Sequence, residues 1–334
     1  MVPLFIYIVN IMRLCGLGTG IHCYACRKPN TERTEKMSLE NINWYPGHMK
    51  KTRELIAENL KMVDVVIEVI DARIPVSSRN PIVGDLVSGK PRIIVLNKSD
   101  LADESANAAW IDYFKSEGFT AMPLNCMTGA GIQGLLKELE KMQEKKNEGQ
   151  VRKKQLRMMI VGVPNVGKSS LINRLTGKKS AKTGDRPGVT KGKQWLSIEN
   201  GMQLLDTPGI LWPKFEDPKV GLNLAFCGSI KDEILDTPSL ALELITVLRQ
   251  DYLNMLTARY KLTESDLEVD EYELSMSDDA EKTTSLAIME AICRRRGWIL
   301  PGKRIDYERG GRTILDEFRS ATIGRITLEH LPLK

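Results

Sequence analysis

Met158-Met159-Ile160-Val161 runs straight into Gly162-Val163-Pro164-Asn165-Val166-Gly167-Lys168-Ser169, and this stretch decides the fold. A strand-like apolar run, then G-x-x-x-x-G-K-[ST] opening a helix, is the setting in which a glycine loop cradles phosphates. Glycines let backbone N–H groups approach the anion, and the helix N-terminus adds its partial positive charge. Lys168 is placed to neutralise β- and γ-phosphates, and the Ser169 hydroxyl to hold Mg2+. Val166, Gly167 and Ser170 join the nucleotide contacts by position. Asn165 has two readings: its side-chain oxygen ligates a monovalent cation beside the phosphates, or it closes a local hydrogen bond.

Downstream, the strand-like Gln203-Leu204-Leu205 leads to Asp206-Thr207-Pro208-Gly209. A carboxylate there reaches the Mg2+ shell, and Gly209 offers its N–H to a γ-phosphate. D-x-x-G is weak alone and strong after a phosphate loop. Between the two lies Pro187-Gly188-Val189-Thr190, where Thr190 is either a second metal contact or a solvent-facing loop threonine.

Upstream, the apolar run Arg92–Leu96 delivers Asn97-Lys98-Ser99-Asp100. Guanine presents N1–H and N2–H2 side by side, and one carboxylate, Asp100, accepts both. Adenine lacks that pair, so the carboxylate would be left unpaired, a discrimination of about 1–3 kcal/mol. Asn97 ties this loop to its neighbours, and the Lys98 stem covers the base. Asn125-Cys126-Met127 stands where a backbone N–H caps guanine O6; that assignment, with Asn125 and Cys126 as contacts, rests on position.

The order is the unusual part. The base reader comes before the phosphate loop, so the domain reads as cut and rejoined, with the charged stretch 145–157 as the joint. Many nucleotide hydrolases follow D-x-x-G with a glutamine that orients the attacking water. Here Ile210 stands there, and its side chain cannot hydrogen-bond water. His48, in Pro46-Gly47-His48-Met49, is either the group that positions water or an ordinary surface histidine.

Alternation of strands (63–70, 92–96, 121–124, 158–161, about 194–199 and 202–206) with helices (50–62, about 104–117, 131–146 and from 168) predicts an α/β domain. Its sheet is mostly parallel, with helices on both faces and ligands at the strand C-termini. After about residue 236 the texture turns helical, with Leu240, Leu244, Val247, Leu248 and Leu256 at helical spacing and a helix over Thr283–Arg296. Residues 37–235 therefore form one expected domain and 236–334 an all-α second one.

Composition is that of a soluble globular chain: 42% hydrophobic and 27% charged. The net charge of +5 matters less than its placement. Residues 173–193 carry seven Lys/Arg against one acid, and 241–290 twelve acids against four bases, which suits a protein showing one face to a polyanion. Six cysteines in 334 residues do not make a disulfide framework, and His22, Cys23 and Cys26 lack a second pair at zinc spacing. The apolar run 1–12 is shorter than the about 20 residues a membrane helix needs, and no positive charge precedes it. Residues 1–36 read as a non-native or disordered extension, and the chain as a cytoplasmic monomer with no membrane partner.

With Asn43-Trp44-Tyr45-Pro46-Gly47-His48-Met49, the phosphate loop, Pro187–Thr190 and Asp206–Ile210 in this order, the chain resembles the circularly permuted P-loop GTPases. Within them it is most similar to the ribosome biogenesis GTPase A (YlqF-type) family, over about 40–334. The resemblance implies GTP hydrolysis to GDP in assembly of the large (50S) ribosomal subunit, with rRNA, ribosomal proteins and precursor particles as partners and the particle as stimulant. It further implies catalysis by His48, a hydrophobic residue in place of the glutamine, and K+ stimulation through Asn165. The helical tail is similar to an RNA-binding domain, with Arg294-Arg295-Arg296 and Lys303-Arg304 as candidate phosphate contacts.

Overall fold

The computed structural model describes residues 54, 56–87, 89–177, 195–205, 217–269, 275 and 279–331. These belong to one unit, Lys36–Lys334. Six strands make one sheet: β1 (Val65–Asp71), β2 (Arg92–Asn97), β3 (Thr120–Leu124), β4 (Arg157–Val161), β5 (Trp195–Ser197) and β6 (Gln203–Leu205), in the order β3-β2-β1-β4-β6-β5. Neighbours pair in parallel except β5, which runs antiparallel to β6 at the edge. Asp71 lies opposite Asn97, and Asn97 opposite Leu124, so β1, β2 and β3 end level with one another.

The central strand is buried along its whole length, as a parallel strand covered on both sides must be. Its side chains alternate between faces. Ile67 and Val69 meet Leu135 and Leu139 of α3 (Ile132–Asn147) and Leu171 and Leu175 of α4 (Lys168–Thr176). Ile70 on the other face shares a cluster with Trp110 and Phe114 of α2 (Glu104–Ser116), and Val66 shares one with Ile56 and Leu60. A short α1 (Pro81–Leu86) precedes β2. The joint is folded back on itself: Asn147 Oδ1 accepts from Lys154 N at 2.6 Å, and Lys146 Nζ reaches Asp64 at 2.6 Å.

The helical region comprises α5 (Pro218–Phe226), α6 (Thr237–Asp251), α7 (Leu253–Tyr260), α8 (Ala280–Arg296) and α9 (Tyr307–Arg319). Asp217, Asp236, Asp279 and Asp306 each cap a helix start with a side-chain oxygen, satisfying N–H groups that have no helical partner. A single buried cluster holds residues of the sheet and of α5–α9 together. The all-helical expectation needs one correction: Ile299–Leu300 (β7) and Arg304–Ile305 (β8) form a small antiparallel hairpin, too short to show as an apolar run. After α9, residues 320–331 return to the α/β portion, burying Ile323, Ile326 and Leu328. Among the described residues no helix is long and apolar enough to cross a membrane.

Candidate nucleotide site

β4 ends at Val161 and the phosphate loop turns into α4 at Lys168. Asn165 (φ 59°) and Gly167 (φ 100°) take left-handed backbone, which curls the loop so that α4 starts at its centre. At Gly167 a side chain is impossible for a second reason: a Cβ would lie 2.2 Å from Asn97 Nδ2. Lys168 is buried, and its ammonium donates to the loop carbonyl of Val163. Ser169 and Ser170 are half-buried in the first turn of α4. Asn165 is exposed, and its Nδ2 donates to Gly228 O, just past α5, at 2.6 Å.

Asn97 bonds to two neighbouring loops. Its Nδ2 donates to Val166 O at 2.6 Å and its Oδ1 accepts from Cys126 N at 3.0 Å. One buried carboxamide thus joins the loop after β2, the glycine loop after β4 and the loop after β3. Ser99 adds two bonds to Leu124 O, at 3.2 Å from its N and 3.1 Å from its Oγ. Asp100 stands exposed at the rim. In the capping loop, Asn125 Oδ1 gathers the amides of Met127 and Thr128 at 2.8 and 3.0 Å, while Arg174 of α4 holds the carbonyls of Cys126 and Met127. The Cys126 amide is engaged by Asn97, and those of Met127, Thr128 and Gly129 by Asn125, so this loop is held by its own hydrogen bonds. Burial pushes the Cys126 thiol up to about 12, so the side chain stays a neutral packing group.

Beneath Lys98 lies a pair that sequence reading passed over. Asp71, at the end of β1, is fully buried. Its carboxylate accepts from Arg73 Nε (2.9 Å), Arg73 Nη2 (2.7 Å), Arg73 N (3.1 Å) and Lys98 Nζ (2.9 Å). Burial alone would raise the Asp71 carboxyl, but the charges and hydrogen bonds of Arg73 and Lys98 hold it far below the usual range. Arg73 is itself 1% exposed, donates to Arg319 O at 3.2 Å, and lies 5.5 Å from the centre of the Phe318 ring. The only sequence signal was a charged Asp-x-Arg ending an apolar strand.

Of the sequence-predicted residues, the structure brings together Asn97, Lys98, Asp100, Asn125, Cys126, Asn165, Val166, Gly167, Lys168, Ser169 and Ser170 at the C-terminal ends of β2, β3 and β4. His48, Thr190, Asp206, Gly209 and Ile210 lie outside the described residues, as do His22, Cys23 and Cys26.

A glycine loop and an Asn-Lys-x-Asp loop joined across one mostly parallel sheet mark a P-loop GTPase, and the comparisons agree. Residues 48–216 match the RsgA GTPase family and residues 157–287 the 50S ribosome-binding GTPase family. Ribosome biogenesis GTPase A of Priestia megaterium is 43% identical over 293 residues, covering 86% of this chain and 96% of that protein. Mitochondrial ribosome-associated GTPase 1 of Mus musculus is 33% identical, covering 86% and 89%. Among solved structures, GNP-bound YlqF from T. maritima superposes with a TM-score of 0.53 at 28% identity, covering 84% of this chain and 98% of that one. The chain belongs to the ribosome biogenesis GTPase A family, and it is a GTP hydrolase.

Proposed function

We propose that this GTPase acts in assembly of the large ribosomal subunit, binding rRNA and precursor particles in its GTP form and hydrolysing GTP when the particle stimulates it. One observation carries the reading: the phosphate loop is bonded directly to the helical region, through Asn165 Nδ2 to Gly228 O. Arg319 of α9 holds the same corner, donating to Ala225 O and Phe226 O at 2.9 Å each and pairing with Asp232. A change at the γ-phosphate therefore has a short mechanical route to a helical, RNA-facing domain at 236–334. The motif order, that of a circularly permuted domain, supports this, since it sets Asp206–Gly209 just ahead of α5 in the chain.

Within that scheme Asp100 selects guanine, Lys168 neutralises the phosphates, and loop amides hold their oxygens. The donor set Ser169, Thr190 and Asp206 is the hard-oxygen kind that suits Mg2+, which supplies charge neutralisation at the β- and γ-oxygens. Asn165, anchored by its nitrogen, offers its oxygen to K+. His48 replaces the missing glutamine in orienting water, because Ile210 cannot. On the helical side, Arg294, Arg295 and Arg296 are each engaged within the protein, with Glu290, with Asp266, and over Tyr260. Lys303 and Arg304 stand exposed on the β7–β8 hairpin and are the better phosphate contacts. The protein works in the cytoplasm as a monomer.

Ile210 also favours a second reading, a nucleotide-gated RNA-binding scaffold whose hydrolysis is incidental. Turnover of the native chain with and without large-subunit precursors separates the two, stimulation of less than about threefold favouring the scaffold, and His48→Ala then tests the catalytic assignment. The first reading expects stimulated turnover to drop by about a hundredfold, the scale of a lost general base. Full stimulated turnover in His48→Ala would remove His48 from the mechanism.

A further inference from the structure

We propose that Arg325, on the C-terminal segment after α9, is a positioning residue for guanine recognition: it clamps the base-reading loop on both sides of Asp100. Its Nη2 donates to Ser99 O at 3.2 Å and its Nε to Ala102 O at 2.8 Å, so one planar guanidinium spans the loop that carries the base-reading carboxylate. The neighbouring backbone continues the grip. Ile326 N donates to Leu101 O at 3.2 Å, and Thr327 Oγ accepts from Asp103 N at 3.1 Å. Asn107 of α2 also donates to Ser99 O, at 2.9 Å.

This grip is built rather than incidental. Ile326 is fully buried and Thr327 is buried beside it. Tyr252, between α6 and α7, bonds Thr327 through its hydroxyl, 2.8 Å to O and 3.3 Å from N. Two residues on, the Glu329 carboxylate accepts from Val76 N at 2.6 Å and from Asn223 of α5 at 3.1 Å, and Glu329 O accepts from Trp110 Nε1 at 2.9 Å. The segment thus ties the α6–α7 junction and α5 of the helical region to the loop around Asp100. An exposed ion pair would add little, and Arg325 does make one, with Glu104 at 3.2 Å. Its bonds to the two carbonyls are different in kind, because a guanidinium presents several donors in a fixed plane, which an ammonium cannot reproduce.

The inference rests on Asp100 being the guanine reader, and base selectivity tests both separately. The dissociation constants of GDP and inosine diphosphate, which lacks the 2-amino group, are measured on the full chain. A well-placed Asp100 gives GDP a preference of about ten- to a hundredfold, the contribution of one charge-assisted hydrogen bond. In Arg325→Ala and Arg325→Lys that preference is expected to shrink about threefold or more, GDP losing more affinity than inosine diphosphate. Equal losses for both nucleotides, or none, would overturn the role of Arg325, since general loosening of the fold does not distinguish the bases. Arg325→Lys keeps charge and most of the stem, so it carries the test if Arg325→Ala does not fold. Asp100→Asn is the independent arm: it should lose GDP and gain xanthosine diphosphate. If it does neither, the base-reader assignment fails whatever Arg325 does.

Discussion

Replacing Asp71 by Asn removes one charge from the centre of the site and changes almost no volume. In the native protein the carboxylate takes four hydrogen bonds, three from Arg73 and one from Lys98. A carboxamide presents an NH2 where at least one donor now points, and leaves the Arg73 guanidinium, 1% exposed, without its counter-charge. Breaking a buried pair from one side destabilises by about 3–5 kcal/mol, because the remaining charge cannot reach water. Chemical denaturation of the GDP-free protein should show a loss of that size. Lys98 loses its anchor as well, so GDP binding should weaken beyond what stability alone explains. The pH dependence carries a sign. The native carboxyl is held far below its ordinary value of 3.8, so its contribution is complete above that value and declines only as pH falls below it. The difference between native and Asp71→Asn protein should therefore be flat from about pH 8 to 5 and shrink under about pH 4. A loss below about 1 kcal/mol, or a difference that varies between pH 5 and 8, would refute the reasoning.

Gly167→Ala should leave most of the fold intact and weaken GDP binding by about tenfold or more, because its Cβ would lie 2.2 Å from Asn97 Nδ2 at a φ of 100°; nucleotide titration checks it, and native affinity would contradict it. Cys126, Cys227 and Cys293 are buried, and burial pushes their thiols to about 12, 12 and 11, so an alkylating reagent at pH 8 should leave all three unmodified in the folded protein. Peptide mapping after labelling reads this directly, and stoichiometric modification of any of the three would count against the packing described.

The α/β half was legible because its signals are local. β-branched runs mark buried parallel strands, and each motif follows its strand within a few residues, so Asn97 and the phosphate loop could be placed without coordinates. The helical half was less so. α9 begins Tyr307-Glu308-Arg309-Gly310-Gly311, and a double glycine argues against a helix on propensity. Packing demands it instead: a Cβ at Gly310 would lie 2.5 Å from Cys293 Sγ, and one at Gly311 would lie 3.1 Å from Pro238 Cα. Residues 320–331 have no periodicity at all, since their order comes from bonds to Tyr252, Trp110 and the loop 99–103. Arg325 and Ser99 are 226 positions apart, and nothing in either neighbourhood announces the other. Asp71 and Arg73 were visible as charges at a strand end, but their shared burial with Lys98 belongs to the tertiary structure.

The central claim is that the nucleotide site serves a ribosomal partner through the helical region. GTP turnover by the full chain, with and without purified large-subunit precursor particles, tests it most directly. The account predicts a rise of about tenfold or more on adding particles, within what positioning a catalytic group for water attack supplies. A change of less than about threefold would contradict it and leave a GTPase whose hydrolysis is not coupled to the particle.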